Sequence, residues 1–425
     1  MSVVALWDWT VAGIGLIFTA RLALLVIGSA AHVLRRPLPA AAPDWPRVLV
    51  LIPAFNEEAV IEGSVRSVLA TGYPRLRVVV IDDGSSDRTS ERAGRSGDPR
   101  VEVLTLEHNL GKAGALNAGL AGGDEPVLVS VDADTVLDPQ ALQALVAPIA
   151  LGLGEAVACN LKVGNRDRWL TVWQSLEYIL GLNLSRRAQA TYGCITTVPG
   201  AAAAFSRGPV EAVGGWSGDT TTEDTDLTLA LLRGGARVLY QPAAVAFTEA
   251  PSDLRGLVHQ RTRWMFGYLQ CLYKHRGAFL SISSLGLLGM PNLLLVNLLA
   301  FPMLLVALPW AIRAADLSSP LSVALALLGW VWLDTLLAAL STAVDREAAR
   351  DLLHAPLQRL VWPLFLLVIF LRVWVVRAAS GQVPWSKLER TGAVTRPRVV
   401  RAPARSAPPA AAPPGAPPRN SPPGP

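Results

Sequence analysis

The chain has 425 residues, of which 51% are apolar and only 17% charged, and its mean hydropathy of +0.37 argues against an ordinary soluble domain. Its net charge of +5 comes without a compact basic stripe interleaved with aromatics, so no nucleic-acid partner is expected; anionic lipid and a phosphorylated small molecule fit that charge better. The three Cys (159, 194 and 271) and five scattered His have neither disulfide nor zinc spacing, which suits a reducing compartment.

In chain order, residues 1–36 hold an apolar run over 3–33, with Trp7 and Trp9 near its start and Arg35 and Arg36 after it. It is too long for the core of a signal peptide, and a membrane-spanning helix is predicted. Arg21 interrupts it, which calls for tilt or snorkelling. Residues 37–46 read as a linker. Residues 47–277 form a catalytic block. Strands are predicted at 48–52, 76–81, 101–106 and 126–131, with helical periodicity at 57–70 and 112–122. Continuous β-rich runs alternating with helices predict an α/β fold with a mostly parallel sheet covered on both faces. Its chemistry should lie beyond the carboxyl ends of the strands.

Residues 278–380 are apolar again. The piece 279–288 is too short to span and is expected at the interface. Segments near 289–312, 318–342 and 357–377 are long enough to cross, with Asp345, Arg346, Glu347, Arg350 and Asp351 between the last two. Four spans in all leave an odd number of crossings between the catalytic block and the tail. Yet the tail carries Arg390, Arg396, Arg398, Arg401 and Arg405, which favours the inside. Either the 279–312 region crosses twice or the tail lies outside. A C-terminal segment occupies 381–401, and the Pro/Ala-rich stretch 402–425 is expected to be disordered.

Four polar clusters mark the catalytic block. Asp82-Asp83-Gly84-Ser85 follows a predicted strand; a carboxylate there can accept from a nucleobase or ribose, although a plain Asx turn uses the same residues. Asp132 and Asp134 end another strand and can share one Mg²⁺ or Mn²⁺ that offsets a diphosphate's charge. Glu223 and Asp224 open a helix: they either cap it or supply a general base, Asp224, for an acceptor hydroxyl. Gln260, Arg263 and Trp264 share a helix face; Arg263 can neutralise a diphosphate, Gln260 orient a phosphate or hydroxyl, and Trp264 stack on a sugar. Lys112, in a Gly-rich stretch without Walker spacing, is a further candidate contact for donor phosphate.

In this order the clusters resemble those of the processive membrane glycosyltransferases of family 2, which include cellulose, chitin, hyaluronan and poly-β-1,6-N-acetylglucosamine synthases. The resemblance covers roughly residues 45–390. It matches PxxNE to Pro53, Asn56 and Glu57, the uridine-contacting Asp to Asp82 or Asp83, DxD to Asp132 and Asp134, TED to Thr222, Glu223 and Asp224, and QxxRW to Gln260, Arg263 and Trp264. It implies a GT-A domain joined to transmembrane helices, a UDP-sugar donor, Mg²⁺ or Mn²⁺, and an inverting reaction. Residues 163–179, 198–207 and 383–392 are similar to the poly-N-acetylglucosamine synthase-like branch. That similarity implies N-acetylglucosamine as the sugar and an acceptor-side loop with Ala202 and Phe205. Expected partners are a glycan or glycolipid acceptor, membrane lipid, and an export or accessory subunit. The expected location is a bacterial plasma membrane, with the catalytic block facing the cytoplasm. Two other readings are open: a non-processive transferase acting on a lipid carrier or glycolipid, and a catalytically silent scaffold or nucleotide-sensing subunit. The all-Ala run 201–204, the short N-terminal membrane portion and the Pro/Ala-rich tail depart from the family pattern.

Overall fold

The computed structural model describes residues 3–303, 306, 320–380, 390–392 and 394. Its centre is one sheet of eight strands: β1 (Val48–Ala54), β2 (Leu76–Asp82), β3 (Val101–Thr105), β4 (Val127–Val131), β5 (Val136–Leu137), β6 (Ala156–Val163), β7 (Ala202–Ser206) and β8 (Val238–Thr248). Their order across the sheet is β3-β2-β1-β4-β7-β6-β8-β5. Strands carry alternate side chains to opposite faces. Val48, Val50 and Ile52 therefore enter the core on one face, while Leu49 and Leu51 enter the core on the other. Helices cover both faces, which is why the runs carry no polar alternation.

The mostly parallel expectation holds for the half around β1: β1 pairs parallel with β2 and β4, and β2 with β3. Beyond β4 the sheet is mixed. β7 runs antiparallel to both β4 and β6, and β5 is antiparallel to β8. This corrects the expected acceptor-side loop. Ala202 and Phe205 are strand residues, 0% and 3% exposed, and Phe205 packs edge-on against Trp216. Their side chains fill the core and cannot line an acceptor path.

Among the described residues, three helices are long and apolar enough to cross a membrane: Ala5–Leu34, Leu285–Met303 and Ala349–Ala378. A fourth long helix covers Pro320–Asp345. Of the expected interfacial piece 279–288, the first two residues end a 3₁₀ turn, Arg276–Leu280, and the last four belong to the long apolar helix, which begins at Leu285 rather than 289. The remainder of the expected 289–312 span beyond Met303, apart from Val306, lies outside the described residues. So do 381–401, apart from 390–392 and 394, and all of 402–425.

The N-terminal helix is locked to the Ser185–Tyr192 helix. A Cβ at Gly28 would stand 2.7 Å from the Tyr192 ring, so only glycine admits this approach. Tyr192 Oη donates to the carbonyl of Leu24 at 2.8 Å, and Ser29 Oγ to that of Leu184 at 2.9 Å. The charged loop before the last helix is also fastened to the catalytic block. Glu347 meets Lys162 at 2.9 Å and Arg166 at 2.6 Å, Asp351 meets Arg166 at 3.2 Å, and Asp345 pairs with Arg187. From there the Ala355–Ser380 helix runs beside the Leu254–Lys274 helix. Trp362 packs with Leu257 and Trp173, while Ile369, Phe370 and Val373 pack with Met265 and Phe266. The chain at Arg390 is back on the catalytic block, where Arg390 Nη1 donates to the carbonyl of Glu249 at 2.6 Å.

Candidate active site

A cleft of about 420 Å³ opens beyond the carboxyl ends of β1, β2 and β4, where a sheet of this kind places its chemistry. Pro53 and Glu57 reach it from the end of β1, Asp83 from β2, Asp132 and Asp134 from β4. Lys112 comes from the Gly111–Ala121 helix, Glu223 from the first turn of the Glu223–Arg233 helix, and Arg263 from the Leu254–Lys274 helix.

The two candidate uridine contacts separate. Asp82 turns into the loop: its Oδ1 accepts from the Ser85 amide at 2.9 Å, and the Ser90 hydroxyl donates to its Oδ2. Asp83 lines the cleft, and its Oδ1 accepts from the Leu110 amide at 2.7 Å. Burial raises the Asp83 pKa, against the pull of the Leu110 and Gly111 amides. Gly84 makes the turn possible. Its φ is +73°, and a Cβ there would lie 3.2 Å from the Asn109 amide nitrogen. Asn56 is not among the residues lining the cleft. With φ of 54°, it accepts from the Ser86 amide at 2.7 Å and donates its own amide to Ser85 Oγ at 2.8 Å. It braces the Asp82-Asp83 turn.

Lys112 joins two of the acidic clusters. Its Nζ lies 2.6 Å from Asp132 Oδ1 and 2.9 Å from Glu223 Oε1. Desolvation works against its charge, but Asp132, Glu223 and Asp224 outweigh that and raise its pKa. Asp134 is 7% exposed and meets Arg390 Nη2 at 2.7 Å. Its pKa is raised by burial, with Arg390 opposing and the Asp132 charge adding to the rise. Asp224 is also raised, first by burial and then by Glu223, against Lys112. The Gly200 amide donates to its Oδ2 at 3.1 Å, and the Thr225 amide to its Oδ1 at 2.7 Å. Thr222 makes no side-chain cap bond, so the acidic first turn complements the helix dipole without a Thr cap.

No group of three or more His, Cys, Asp or Glu able to hold a metal ion occurs among the described residues. Asp132 and Asp134 nevertheless fit a hard divalent ion that takes its other oxygens from a diphosphate, the usual way Mg²⁺ is held. Each of the two carboxylates faces a cation, Lys112 or Arg390, so positive charge already balances this part of the cleft.

Gln260, Arg263 and Trp264 do not converge on one cavity. Arg263 lines the donor-side cleft. Trp264 lines a separate cavity of about 430 Å³ on the side of the membrane helices. Gln260 is buried, and its Oε1 accepts from Arg261 Nη1 at 2.6 Å. It lines neither cavity. Sequence reasoning passed over Arg261, whose guanidinium stacks 4.2 Å from the Trp264 ring centroid and pairs with Glu177. It also gave Arg390 no place in the site. The signal for Arg390 was the 383–392 segment, which was singled out without a role.

Comparison with known proteins places this geometry. A curated poly-β-1,6-N-acetyl-D-glucosamine synthase of Staphylococcus aureus (strain COL) is 32% identical over 223 residues, covering 52% of this chain and 54% of that protein. The Staphylococcus epidermidis protein of the same name is 32% identical over 222 residues, 51% and 53% of the two chains. The chain spans about half the length of the curated relatives it matches. A solved mannosyltransferase from Pyrobaculum calidifontis, in complex with GDP-Man and Mn²⁺, superposes with a TM-score of 0.58 at 22% identity, over 83% of this chain and 99% of that one. The shared fold is GT-A, here joined to apolar helices long enough to span a membrane. Residues 46–267, just over half of the chain, match the family described as glycosyltransferase like family 2, and the chain belongs to that family.

Proposed function

We propose that this chain catalyses inverting transfer of a sugar, N-acetylglucosamine, from a UDP-sugar to a growing β-linked glycan at a membrane. The observation that carries the reading is the single cleft in which Asp83, Asp132, Asp134, Lys112, Glu223 and Arg263 converge, with Asp224 hydrogen-bonded to the Gly200 amide beside it. The synthase names of the staphylococcal relatives support the sugar and the polymer. The Mn²⁺ of the mannosyltransferase complex supports a divalent cofactor.

The acceptor hydroxyl oxygen attacks the anomeric carbon from the face opposite the diphosphate. The new C–O bond forms as the bond to the diphosphate breaks, the hydroxyl proton passes to Asp224, and UDP leaves. A carboxylate whose pKa is raised by burial and by Glu223 accepts that proton more readily than an ordinary one. Glu223 and Asp132 hold Lys112 in the cleft. Lys112 and Arg263 balance charge on the departing diphosphate. Asp132 and Asp134 would hold Mg²⁺ or Mn²⁺, which supplies Lewis-acid stabilisation of the leaving group. Asp83 and Pro53 border the nucleoside end, and Trp264 stands on the acceptor side. The three described Cys are all free and buried, in keeping with a catalytic block that faces the cytoplasm.

The test is the full-length protein in lipid nanodiscs with Mn²⁺ or Mg²⁺ and a panel of labelled UDP-sugars, with products read by mass spectrometry. A ladder of β-linked products from UDP-N-acetylglucosamine is expected. Single additions would limit the enzyme to non-processive transfer, and turnover with another donor alone would replace the sugar.

A further inference from the structure

Asp224 sits in the first turn of the Glu223–Arg233 helix, and that turn has no local anchor. Thr222 makes no side-chain cap bond, and the first amides of a helix have no intrahelical partner. A frayed first turn would let Asp224 swing off its line to the acceptor. Two other parts of the chain fix the turn instead. On one side the Gly200 amide holds Asp224 at 3.1 Å. There the Thr197 and Thr225 hydroxyls meet at 3.0 Å, and Thr228 Oγ1 accepts from the Val198 amide at 2.9 Å.

The other side rests on Asp226. It stands two positions from Asp224, about 200° around the helix, and so faces away from it. It lines neither cavity beside the site. It is buried against the end of the Leu254–Lys274 helix. Lys274 Nζ donates to its Oδ2 at 2.7 Å, and His275 Nε2 lies 2.5 Å from its Oδ1. Arg233, at the far end of the Asp224 helix, sets the state of that histidine, with Nη1 3.2 Å from His275 Nδ1. A guanidinium only donates, so Nδ1 accepts, the ring is neutral, and Nε2 donates its proton to Asp226. Burial opposes the charge of Asp226, but the bonds from His275 and Lys274 outweigh it and lower its pKa. Lys274 gathers the donor-side loop as well. It meets Ser217 Oγ at 2.8 Å and Asp219 Oδ2 at 3.0 Å, on either side of Gly218, which lines the cleft. A buried ion pair contributes little net stability, and this one fixes a single orientation of the turn that carries the base.

We propose that Asp226 is a positioning residue for the transfer: clamped by His275 and Lys274, it sets the rotation of its helix and so aims Asp224 at the acceptor hydroxyl. The proposal rests on the transferase reading above and adds to it the residue that holds the base in line.

The test is a kinetic cycle on the full-length protein in nanodiscs, read as UDP release from the donor that the wild type turns over. Asp226→Asn keeps the shape of the side chain and removes its charge. It should lower kcat about 10²-fold, the effect of an ångström-scale misplacement, with donor KM and UDP affinity little changed. Added to Asp224→Asn it should lower kcat no further, because residues that act as a unit are not additive. His275→Leu should behave as Asp226→Asn does, in the cycle as well. His275→Gln, whose amide can donate to Asp226 and accept from Arg233, should restore most of kcat. The two His275 variants carry the test if Asp226→Asn fails to fold. Effects that multiply with Asp224→Asn, or a fall in UDP affinity as large as that in kcat, would mark general loosening and overturn the proposal. Wild-type kcat in Asp226→Asn and His275→Leu would overturn it too. If the wild type turns over while Asp224→Asn does not, either result removes only the role of Asp226. Wild-type protein inert toward every nucleotide sugar removes the transferase reading and this role with it.

Discussion

Arg390 donates to Asp134 across 2.7 Å, so a residue that follows the last long helix closes on a carboxylate at the end of β4. The neighbouring Thr391 and Gly392 amides are held by Glu249, at 2.8 and 3.1 Å. The guanidinium competes with any divalent ion for Asp134 and balances charge in the cleft. Arg390→Ala should therefore tighten donor-free Mn²⁺ binding while lowering kcat/KM about 10²-fold, the scale of one lost preorganised charge contact. Mn²⁺ titration followed by electron paramagnetic resonance, with steady-state kinetics, checks both halves.

The pH profile follows from Asp224. Its pKa is raised by burial and by Glu223, and the base must be unprotonated to accept the acceptor proton. Activity should accordingly fall as pH drops through a value above the usual aspartate pKa of about 3.9. The acid limb of kcat against pH, measured with donor saturating, reads this value. A limb at or below the ordinary aspartate value would remove Asp224 from the role of base.

The path of the chain carries a prediction for the crossing count. The loop before the Ala355–Ser380 helix is ion-paired to the catalytic block, and Arg390 is again in the cleft. The helix should lie along the interface beside the Leu254–Lys274 helix, with Leu357, Leu364, Val368, Leu371 and Val375 toward lipid. Arg350→Cys and Ala378→Cys should react with an impermeant maleimide from the same side as Ser96→Cys on the catalytic block. Labelling of Ala378→Cys from the opposite side would make this helix a crossing one.

The same loop makes a stability prediction. Arg166 and Glu347 are 9% and 6% exposed at their side chains, so the double change Lys162→Ala and Arg166→Ala, which removes both cations that meet Glu347, strands a buried carboxylate. The loss should be about 3–5 kcal/mol, read from chemical unfolding in detergent. A wild-type midpoint for the variant would show that the loop is not held by these pairs.

The strands around β1 were legible because their runs of Val, Leu and Ile are buried on both faces and leave one pattern to read. β7 was not. Its Ala run has little strand preference, and the neighbours that bury it, β4 and β6, are far away in sequence. β6 and β8 escaped for a related reason: β8 contains Pro242, and their pairing shifts register between Cys159 and Asn160. The carboxylates at strand ends were legible because position alone aims them. Helical spacing grouped Gln260, Arg263 and Trp264 on one helix, but it could not reveal that Arg263 and Trp264 line separate cavities and that Gln260 lines neither. The 383–392 segment marked Arg390, but its pairing with Asp134 arises from tertiary folding, which no local pattern encodes.

The central claim is that Asp224 takes the acceptor proton in a cleft that binds a nucleotide sugar. Wild-type and Asp224→Asn protein in nanodiscs, compared for UDP release from UDP-N-acetylglucosamine and for UDP affinity, test it most directly. The account predicts a loss of turnover of about 10²–10⁴-fold, with UDP affinity little changed. Turnover within a few-fold of wild type in Asp224→Asn would contradict it.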